Sequence, residues 1–539
     1  MELGRADSVL VHRALEVKSS HESELFSKAN VIGVDVGFKY VSGERTNEVA
    51  IRIFVSKKEE VETSNFLPRS LDGIKTDVIM EEMFVPITQV PQADQALPNS
   101  NRYDPLVGGI SVGPTRSINR TVYTGTLGAI VQKAGEIFSL SNFHVYGVND
   151  GWSKGDEIAQ PSRVDAGKCP RDNIGKIEDA CLGNKLSGKE TTVDAAIATI
   201  ENRQASNENA SILNIGVVRG SAEPVLGQIV RKQGRTTGLT HGFVDGLGGT
   251  VNVDYGGTLG MVCFTNQIQI MPDTSENSSY INGGDSGSVS VNDNNEIIGL
   301  NFARSRQSER ASANVFSDVK RALGVDTLPA WKSIGGALSQ VSAGSGSHVW
   351  GINPDGELVH RENDAWTMVE GALTLVSSGS DGAVWGLDAE GSAFKREENN
   401  WVKMGGQLSQ ISVGSESHIW GVSIEGDVFK RNEEEWVQVD GSLTQVSVGS
   451  DGSVWGVNSS GEVFRRDDSA WTQIEGQVLS QISVGSEGKV WGLTDEGEIF
   501  KRESESWKKM PVYLSSISVA SDNSVWGIGR ENRIWEITG

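Results

Sequence analysis

Hydrophobic and polar residues alternate in short segments along most of this chain, and such alternation predicts β-strands. Near the N-terminus, residues 31–40, 49–55 and 76–80 each form one of these segments. Residues 8–28 differ, because their apolar positions are spaced among charges and predict one or two amphipathic helical turns. We therefore predict a small α+β region over residues 1–85, with a structural or regulatory role.

Prolines then interrupt the pattern. Pro86, Pro91, Pro98 and Pro105 follow one another at short intervals, and proline disfavours the interior of both helices and sheets. Residues 86–105 are therefore predicted to form a linker.

Short alternating segments resume after the linker and predict an all-β domain over residues 106–326. Residues 315–323 have helical spacing and precede Gly324, so we expect a helix to close this domain. The polar stretch 146–191 is predicted to be a long loop.

Tryptophan recurs at a fixed period in the last part of the chain. The sequence Val-Trp-Gly or Ile-Trp-Gly places tryptophans at 350, 385, 420, 455, 491 and 526, and a second series lies at 331, 366, 401, 436, 471 and 507. A period near 35 residues, with four short strands in each repeat, predicts a six-bladed β-propeller over residues 331–539. The chain ends with the third strand of the last repeat, so residues 331–335 are predicted to complete the sixth blade.

Composition supports this all-β organisation and limits the function. The 539 residues exceed one ordinary domain, and the 64 glycines suit proteins with many turns. The net charge of −23 argues against a nucleic-acid partner, because phosphate binding needs clustered Lys and Arg. An acidic surface also discourages binding to anionic membranes.

The sequence contains no apolar stretch long enough for a transmembrane helix, and residues 1–8 do not read as a signal peptide. A cytoplasmic location is therefore expected, and leaderless secretion is the alternative.

Three cysteines, Cys169, Cys181 and Cys263, are too few for a disulfide framework. Cys169 and Cys181 could pair if the intervening loop folds back, or they could remain reduced as in a cytosolic protein. No Cys/His cluster has the spacing of a zinc site, and we expect neither a metal nor another cofactor.

The candidate chemistry lies in residues 283–287, Gly-Gly-Asp-Ser-Gly. Glycines permit a sharp turn that exposes the Ser286 hydroxyl and lets backbone N–H groups converge on an oxyanion. A plain hairpin turn is the alternative. A serine nucleophile needs a base and a carboxylate. His144 follows a strand and a small polar turn, and Asp194 lies in Thr-Val-Asp-Ala-Ala-Ile-Ala.

These motifs, in the order His, Asp, Ser, resemble the trypsin-like serine peptidases. The resemblance covers roughly residues 30–325, and the N-terminal region resembles that of a bacterial and plant group of trypsin-like proteins that includes the narrow-leaf proteins of plants. The resemblance implies a chymotrypsin-like double β-barrel. It also implies that Ser286 is the nucleophile, His144 the base and Asp194 the residue that orients the base. The oxyanion donors would be the backbone N–H groups of Gly284 and Ser286.

Two positions depart from the family pattern. Phe143 stands before His144, where the family usually has a small residue or Asn, so its ring could displace the base. Tyr280 lies six residues before Ser286, at the position of the specificity-pocket floor in trypsin-like enzymes, and it indicates no preferred side chain. Asp285 is expected to support the loop rather than to react.

The repeats resemble tectonin repeats, which form six-bladed propeller lectins. That resemblance implies glycan binding in pockets repeated around the ring. The repeat tryptophans read mostly as core residues, because their spacing is a packing period. The Lys-Arg and Arg-Arg pairs, such as residues 395–396 and 465–466, read as solvated strand edges that could also contact anionic glycans.

We therefore predict a serine endopeptidase that acts on polypeptide substrates. Its propeller would bind glycans or a partner protein and so target or restrain the enzyme. The alternative is a glycan-binding, lectin-like protein whose peptidase fold is catalytically inert.

Overall fold

A computed structural model of the chain describes residues 6–58, 66–86, 98–118, 120–186, 191–203, 210–305, 307–329, 331–362, 364–467 and 469–537. The chain divides into two compact units, Met1–Ala330 and Trp331–Gly539. Both are mainly β, as predicted. Most of the predicted linker, residues 87–97, lies outside the described residues.

The elements of the first unit follow in chain order. They are α1 (Ser8–Phe26), β1 (Val31–Val41), β2 (Glu44–Val55), β3 (Ser70–Leu71), β4 (Ile74–Met80), β5 (Val85–Pro86), β6 (Ile110–Pro114), β7 (Gly125–Leu127), β8 (Ala129–Lys133), β9 (Glu136–Ser141), α2 (Phe143–Tyr146), β10 (Glu157–Ala159), β11 (Asn173–Leu182), β12 (Asp194–Thr199), β13 (Ser211–Ile212), β14 (Gly216–Val217), β15 (Ile229–Gly234), β16 (Gly238–Asp254), β17 (Met261–Pro272), β18 (Val289–Val291), β19 (Ile297–Arg304), β20 (Ala311–Val315), α3 (Phe316–Leu323) and β21 (Asp326–Thr327).

Strand pairing forms two barrels, which confirms the predicted double-barrel fold. Among the described strands, β15, β18, β19, β20, β17 and β16 hydrogen-bond in that order, and β15 also pairs with β16, so this sheet closes. Because these strands come later in the chain, we call this the second barrel. The first barrel runs β8, β9, β12, β11, β10, β6 and β7. It closes because β7 and β8 form one run that is interrupted only at Gly128. Inward-facing aliphatic residues fill both barrels, and two of the hydrophobic clusters contain residues of both barrels.

The N-terminal region extends the sheet of the second barrel. Strand β1 pairs antiparallel with the long strand β16 and with β2, and β4 pairs parallel with β2. Helix α1 is longer than the one or two turns expected, and it packs on β1 and β2 through Val11, Ala14, Val17 and Leu25. Whether residues 1–85 form a domain of their own stays a prediction.

A buried network of charges joins this region to the second barrel. Arg52 donates from Nε to Asp35 Oδ1 at 2.7 Å and from Nη1 to Asp245 Oδ2 at 2.5 Å. Arg310 also pairs with Asp245, and Tyr40 donates its hydroxyl to Asp245 Oδ1 at 2.8 Å. Burial opposes ionisation of Asp245, but the two guanidinium groups outweigh burial and lower the pKa of Asp245 to about 2.

The stretch 146–191 is not a single loop as expected. It contains β10 and the ten-residue strand β11, which pairs with both β10 and β12. Polar and charged residues in this strand face outward between buried positions such as Ile174, Ile177 and Leu182, so its composition concealed a barrel strand. The predicted closing helix is present as α3, and Gly324 ends it with a φ of 65°.

The second unit consists of β22 (Lys332–Ala337), β23 (Gln340–Ser345), β24 (His348–Ile352), β25 (Leu358–Glu362), β26 (Ala365–Val369), β27 (Leu375–Ser378), β28 (Val384–Leu387), β29 (Ala393–Glu397), β30 (Asn400–Gly405), β31 (Gln410–Ser415), β32 (His418–Val422), β33 (Asp427–Asn432), β34 (Glu435–Ser442), β35 (Gln445–Val448), β36 (Val454–Val457), β37 (Val463–Asp467), β38 (Ala470–Ile474), β39 (Gln481–Val484), β40 (Val490–Leu493), β41 (Glu498–Glu503), β42 (Ser506–Tyr513), β43 (Ser516–Val519), β44 (Val525–Ile528) and β45 (Arg533–Ile537).

Within the described residues, these strands form six four-stranded antiparallel sheets, which are the blades of the predicted propeller. Strand β22, at the start of the unit, pairs antiparallel with β45 at its end and completes the sixth blade. The register of the tryptophan repeat predicted this closure. It joins the start of the unit to its end, so that the ring of blades is closed.

Arginine side chains lie between neighbouring blades. In the second blade, the Arg396 guanidinium lies 5.3 Å from the ring centroid of Trp401 on its own outer strand, and 5.3 Å from that of Trp350 on the preceding blade. The same arrangement places Arg361 over Trp366 and Trp526, Arg431 over Trp385 and Trp436, and Arg502 over Trp455 and Trp507. Arg396, Arg431 and Arg502, the second residues of three basic pairs, are therefore not solvated strand edges, as the sequence had indicated, but part of the contact between blades.

Glutamine side chains join the inner strands of neighbouring blades. Gln340 donates from Nε2 to the carbonyl of Val376 at 2.8 Å and accepts from the Val376 N–H at 3.2 Å. The same paired hydrogen bonds link Gln410 to Val446, Gln445 to Ile482 and Gln481 to Ile517. These contacts satisfy backbone groups that would otherwise be left without partners at the blade boundary.

The two members of one basic pair should contribute differently to propeller stability. Arg466 lies 5.3 Å from the Trp471 ring centroid, whereas its neighbour Arg465 is exposed and pairs with Asp467. We expect Arg466→Met to lower the free energy of unfolding by about 1 kcal/mol, and Arg465→Met to change it by less than about 0.5 kcal/mol. Calorimetric unfolding of the full chain measures both, and equal effects of the two substitutions would contradict this account.

Candidate active site

The structure places His144 on a short helical turn directly after β9. This turn, α2, is buried throughout. The His144 Nδ1–H donates to Asp194 Oδ2 at 2.5 Å, and the His144 backbone N–H donates to Asp194 Oδ1 at 3.2 Å. Asn142 also holds the Asp194 backbone, because its Nδ2 donates to the Asp194 carbonyl at 2.7 Å. The imidazole and the carboxylate are thus fixed in one relative orientation.

Asp194 is the first residue of β12 and is fully buried. Its backbone N–H donates to Asn314 Oδ1 at 3.0 Å. The Tyr255 hydroxyl donates to Asp194 Oδ2 at 2.6 Å, so this oxygen accepts hydrogen bonds from both Tyr255 and His144. Burial, and then the negative charge of Asp194, raise the pKa of Tyr255 well above its usual value, and the hydroxyl therefore remains a donor.

Sequence reasoning missed Tyr255. It follows β16 in a glycine-containing turn, 61 residues after Asp194, and belongs to no motif. Only the folding of the second barrel against the first brings it to Asp194, so no local signal could have identified it.

The loop that carries Ser286 rests on β7 of the other barrel. The Thr126 backbone N–H donates to the Ser286 carbonyl at 2.8 Å, and the Thr126 hydroxyl donates to the Gly284 carbonyl at 2.9 Å. A Cβ added to Gly125 would lie 2.5 Å from the Val145 side chain and 3.0 Å from the Ser286 carbonyl oxygen. The Ser286 loop and the residue next to His144 therefore meet at the same glycine of β7.

The approach of this loop requires glycine. Gly287 has a φ of 91°, and a Cβ there would lie 2.1 Å from Ser141 Oγ and 2.3 Å from the Thr126 carbonyl oxygen. A Cβ at Gly128 would lie 2.1 Å from the Gly287 carbonyl oxygen. No side chain fits at either position, so these glycines set the distance between the two barrels.

Asp285 anchors the loop from its other side, as expected. Its Oδ1 accepts from the backbone N–H groups of Thr236 and Thr237 at 2.8 and 3.1 Å, and its Oδ2 accepts from the Asn282 N–H at 2.8 Å. The Lys232 ammonium lies 3.6 Å from Oδ2. Burial lowers the pKa of Lys232, although the adjacent carboxylate favours the charged form. Both groups are fully enclosed.

The structure does not join all three candidate residues by hydrogen bonds. His144 Nε2 is buried and has no hydrogen-bond partner among the described residues, Ser286 included. His144 is 2% exposed, and Asp194 and Ser286 are 0% exposed. Gly284 has a φ of 94°, and within the described residues no hydrogen bond from its N–H was found.

Aromatic rings line this region. Tyr255 lies with its ring centroid 5.9 Å from that of His144, and Phe264 connects Tyr255 to Phe302 at centroid distances of 6.1 and 4.9 Å. Phe143, whose ring could displace the base, is fully buried and makes an edge contact with Trp152 at 5.9 Å. Beside it, His144 is hydrogen-bonded to Asp194.

Tyr280 does not form the open floor of a pocket. It is fully buried in the core of the second barrel, and its hydroxyl is hydrogen-bonded to Ser290 Oγ at 2.9 Å. Burial raises the pKa of Tyr280.

Cys169 is exposed, Cys181 lies inside the first barrel, and no disulfide bond joins them. Within the described residues there is no group of three or more His, Cys, Asp or Glu side chains that could hold a metal ion. Among the same residues, no helix is both long and apolar enough to cross a lipid bilayer.

Comparison with known proteins identifies one family. The family model of the tectonin domain matches residues 237–399, 384–469 and 452–539. The first match begins inside the first unit, and the three matches together span the propeller. No curated protein matches the chain.

Solved structures resemble each unit at low TM-scores. A glutamic acid specific serine protease is 20% identical, with a TM-score of 0.30, over 41% of this chain and 100% of its own. Thermobifida fusca protease A is 17% identical, with a TM-score of 0.29, over 41% and 96%. The structure of YCF48 bound to D1 peptide is 12% identical, with a TM-score of 0.30, over 39% and 97%. The fold assignment above rests on strand pairing and not on these likenesses.

Removing the Tyr255 hydroxyl should weaken the site without changing its packing. Tyr255→Phe keeps the ring but removes a donor from buried Asp194, so we expect a loss of roughly 1.5–3 kcal/mol in the free energy of unfolding. Tyr123→Phe is the matched control, because it makes the same change at a tyrosine that is partly exposed. Calorimetry checks both variants, and a neutral Tyr255→Phe would mean that the hydroxyl does not stabilise Asp194.

Proposed function

Because this chain belongs to the tectonin family, we propose that its propeller is a recognition domain. We also propose that its first unit is a serine endopeptidase. The observation that carries the peptidase proposal is the pair formed by His144 and Asp194 beside the Ser286 loop. A carboxylate can only accept, so the hydrogen bond to Asp194 places the imidazole proton on Nδ1. His144 Nε2 is then left with a lone pair, and it is buried without another partner among the described residues.

That tautomer is the one required of a general base. In the proposed reaction, Ser286 Oγ attacks the carbonyl carbon of a peptide bond, and its proton passes to His144 Nε2. The same proton then passes to the leaving amine as the C–N bond breaks and an acyl-enzyme remains. A water molecule attacks this ester and His144 takes a proton of the water. His144 then returns the proton to Ser286 Oγ as the ester C–O bond breaks, and a carboxylic acid product leaves.

Asp194 would hold the imidazole in place and stabilise its charged form, and Tyr255 would hold Asp194. The oxyanion would be bound by the backbone N–H groups of Gly284 and Ser286. Asp285 would keep this loop in shape through the Thr236 and Thr237 N–H groups.

For the propeller we propose binding of glycans or of a partner protein, which would target or restrain the peptidase. A cleft of about 330 Å³ lies between the second and third blades. Asp388, Glu390 and Gln407 supply polar groups, and Ile424, which is 85% exposed, supplies an apolar surface. Polar groups beside an apolar face suit a sugar ring or a peptide.

One observation favours the alternative of a lectin-like protein with an inert peptidase fold. Ser286 is fully buried, and His144 Nε2 has no hydrogen bond to it. Hydrogen bonds in sites without substrate are often longer than in the reacting complex, so covalent labelling must decide between the two.

The peptidase proposal predicts that a fluorophosphonate forms a covalent adduct with Ser286, because only an activated serine attacks this reagent rapidly. Intact-mass analysis should show one adduct on the native chain, none on Ser286→Ala, and one on Ser288→Ala, a control two residues further along the same loop. No adduct on the native chain, or an adduct that persists in Ser286→Ala, would contradict the proposal.

The recognition proposal predicts that glycan-array binding, or capture of a partner, depends on the cleft at Ile424. Ile424→Ser should weaken binding roughly tenfold, through loss of apolar contact area. Val478→Ser serves as a control, since Val478 is 68% exposed but does not line this cleft. Equal binding by the two variants would exclude the cleft, and Ser286→Ala should bind as the native chain does.

A further inference from the structure

The edge of β19 beside the nucleophile loop is a place where an extended peptide could add as a strand. One side of β19 pairs with β20 from Gly299 to Arg304. The other side pairs with β18 as far as Leu300, and the Gly287 N–H then donates to the Asn301 carbonyl at 3.0 Å. Beyond Asn301, this second side leads away from the Ser286 loop and is not covered by β18.

In this structure the chain itself occupies that edge. Strand β5 pairs antiparallel with β19, Pro86 opposite Ala303 and Val85 opposite Arg304. Because β20 already fills the other side of these two residues, β5 must lie on the side of the nucleophile loop. The antiparallel direction places Pro86 nearer than Val85 to Asn301. Residues 81–86, which we term the strap, are thus added to the sheet in the manner of a bound peptide.

Buried contacts hold the strap in place. The Glu81 carboxylate accepts from the hydroxyls of Ser305 and Ser308 at 2.5 and 2.6 Å and lies 3.6 Å from Arg310 Nε. Phe84 is 2% exposed and belongs to the same hydrophobic cluster as Phe264 and Phe302, which line the site. Glu82 and Met83, between these two anchors, face solvent.

The candidate nucleophile is closed off in the same structure. Ser286 and Asp194 are 0% exposed, and a polypeptide cannot reach Ser286 until something moves. The position of the strap is specific. It pairs with Ala303 and Arg304, directly after the residues of β19 that face β18 and the nucleophile loop.

We propose that the strap is an intramolecular competitor of the substrate. It occupies the edge on which an extended polypeptide would be aligned for attack by Ser286, so the full chain is restrained until the strap leaves. This inference rests on the proposed peptidase function. A tethered segment acts at an effective concentration on the order of millimolar, which is enough to exclude weakly bound polypeptides.

Two substitutions should release the strap, each with a matched control on the same segment. Glu81→Gln removes the charge that faces Arg310, and Glu82→Gln makes the same change at an exposed position. Phe84→Ser replaces a buried apolar side chain, and Met83→Ser replaces an exposed one in the same way. Hydrolysis of quenched fluorescent casein should rise about tenfold or more in Glu81→Gln and Phe84→Ser and should stay at the native level in both controls.

A synthetic peptide of residues 81–86 tests the competition directly. Added at millimolar concentration to Phe84→Ser, it should restore inhibition, and a peptide of the same composition in scrambled order should not. Calorimetry identifies any variant that has lost its fold, and the two releasing substitutions act at separate anchors, so one folded variant is enough for the test.

Fluorophosphonate labelling separates this inference from the proposal on which it rests. If Ser286 is labelled in every chain but casein hydrolysis is equal in all of them, the peptidase stands and the strap is only an edge-covering strand. If no chain is labelled and none hydrolyses casein, the peptidase proposal fails and the strap has no substrate to exclude. Faster hydrolysis in each releasing variant that keeps its fold, reversed by the peptide, supports the inference.

Discussion

The seating of the Ser286 loop on strand β7 is the contact on which the candidate site depends. Thr126 binds the carbonyls of Ser286 and Gly284 through its backbone N–H and its hydroxyl. Gly287 and Gly128 leave no room for a side chain where the loop and the strand meet. Backbone groups enclosed at such a boundary must be hydrogen-bonded, because an unpaired buried polar group costs about 1–3 kcal/mol. These contacts hold the two barrels together where Val145, next to His144, and the Ser286 carbonyl both lie against Gly125.

Buried charge extends this constraint to the N-terminal region. Arg52 bridges Asp35 and Asp245, Arg310 pairs with Asp245, and Arg310 also lies beside Glu81 of the strap. Removing one partner would leave an uncompensated charge inside the protein, which typically costs about 3–5 kcal/mol. Because the pKa of Asp245 is lowered to about 2 from 3.8, its contribution to stability is present above pH 3.8 and is lost as the pH falls towards about 2. The network therefore connects residues 31–80 with the strap on β19.

In the propeller, contacts that recur in successive repeats hold neighbouring blades together. Each arginine between two indoles, and each glutamine between two inner strands, joins one blade to the next. A blade has no core of its own, so these contacts and the apolar clusters between blades supply its stability. The pairing of β22 with β45 gives the sixth blade four strands, like the other five blades. The exposed surface is then free to vary, and the cleft at Ile424 is one place where it does.

Features that are local or periodic could be predicted from the amino-acid sequence alone. Alternation predicted the strands, the Trp period predicted six blades and their closure by residues 331–335, and short motifs placed His144, Asp194 and Ser286 on adjoining elements. Their roles stay a prediction. Tertiary structure alone decided which distant residues meet: Tyr255 on Asp194, the arginines between indoles, the barrel strand β11 within a polar stretch, and the strap on β19. These depend on contacts between segments far apart along the chain. No local pattern encodes them, because a side chain or a strand edge carries no mark of its partner until the fold brings the two together.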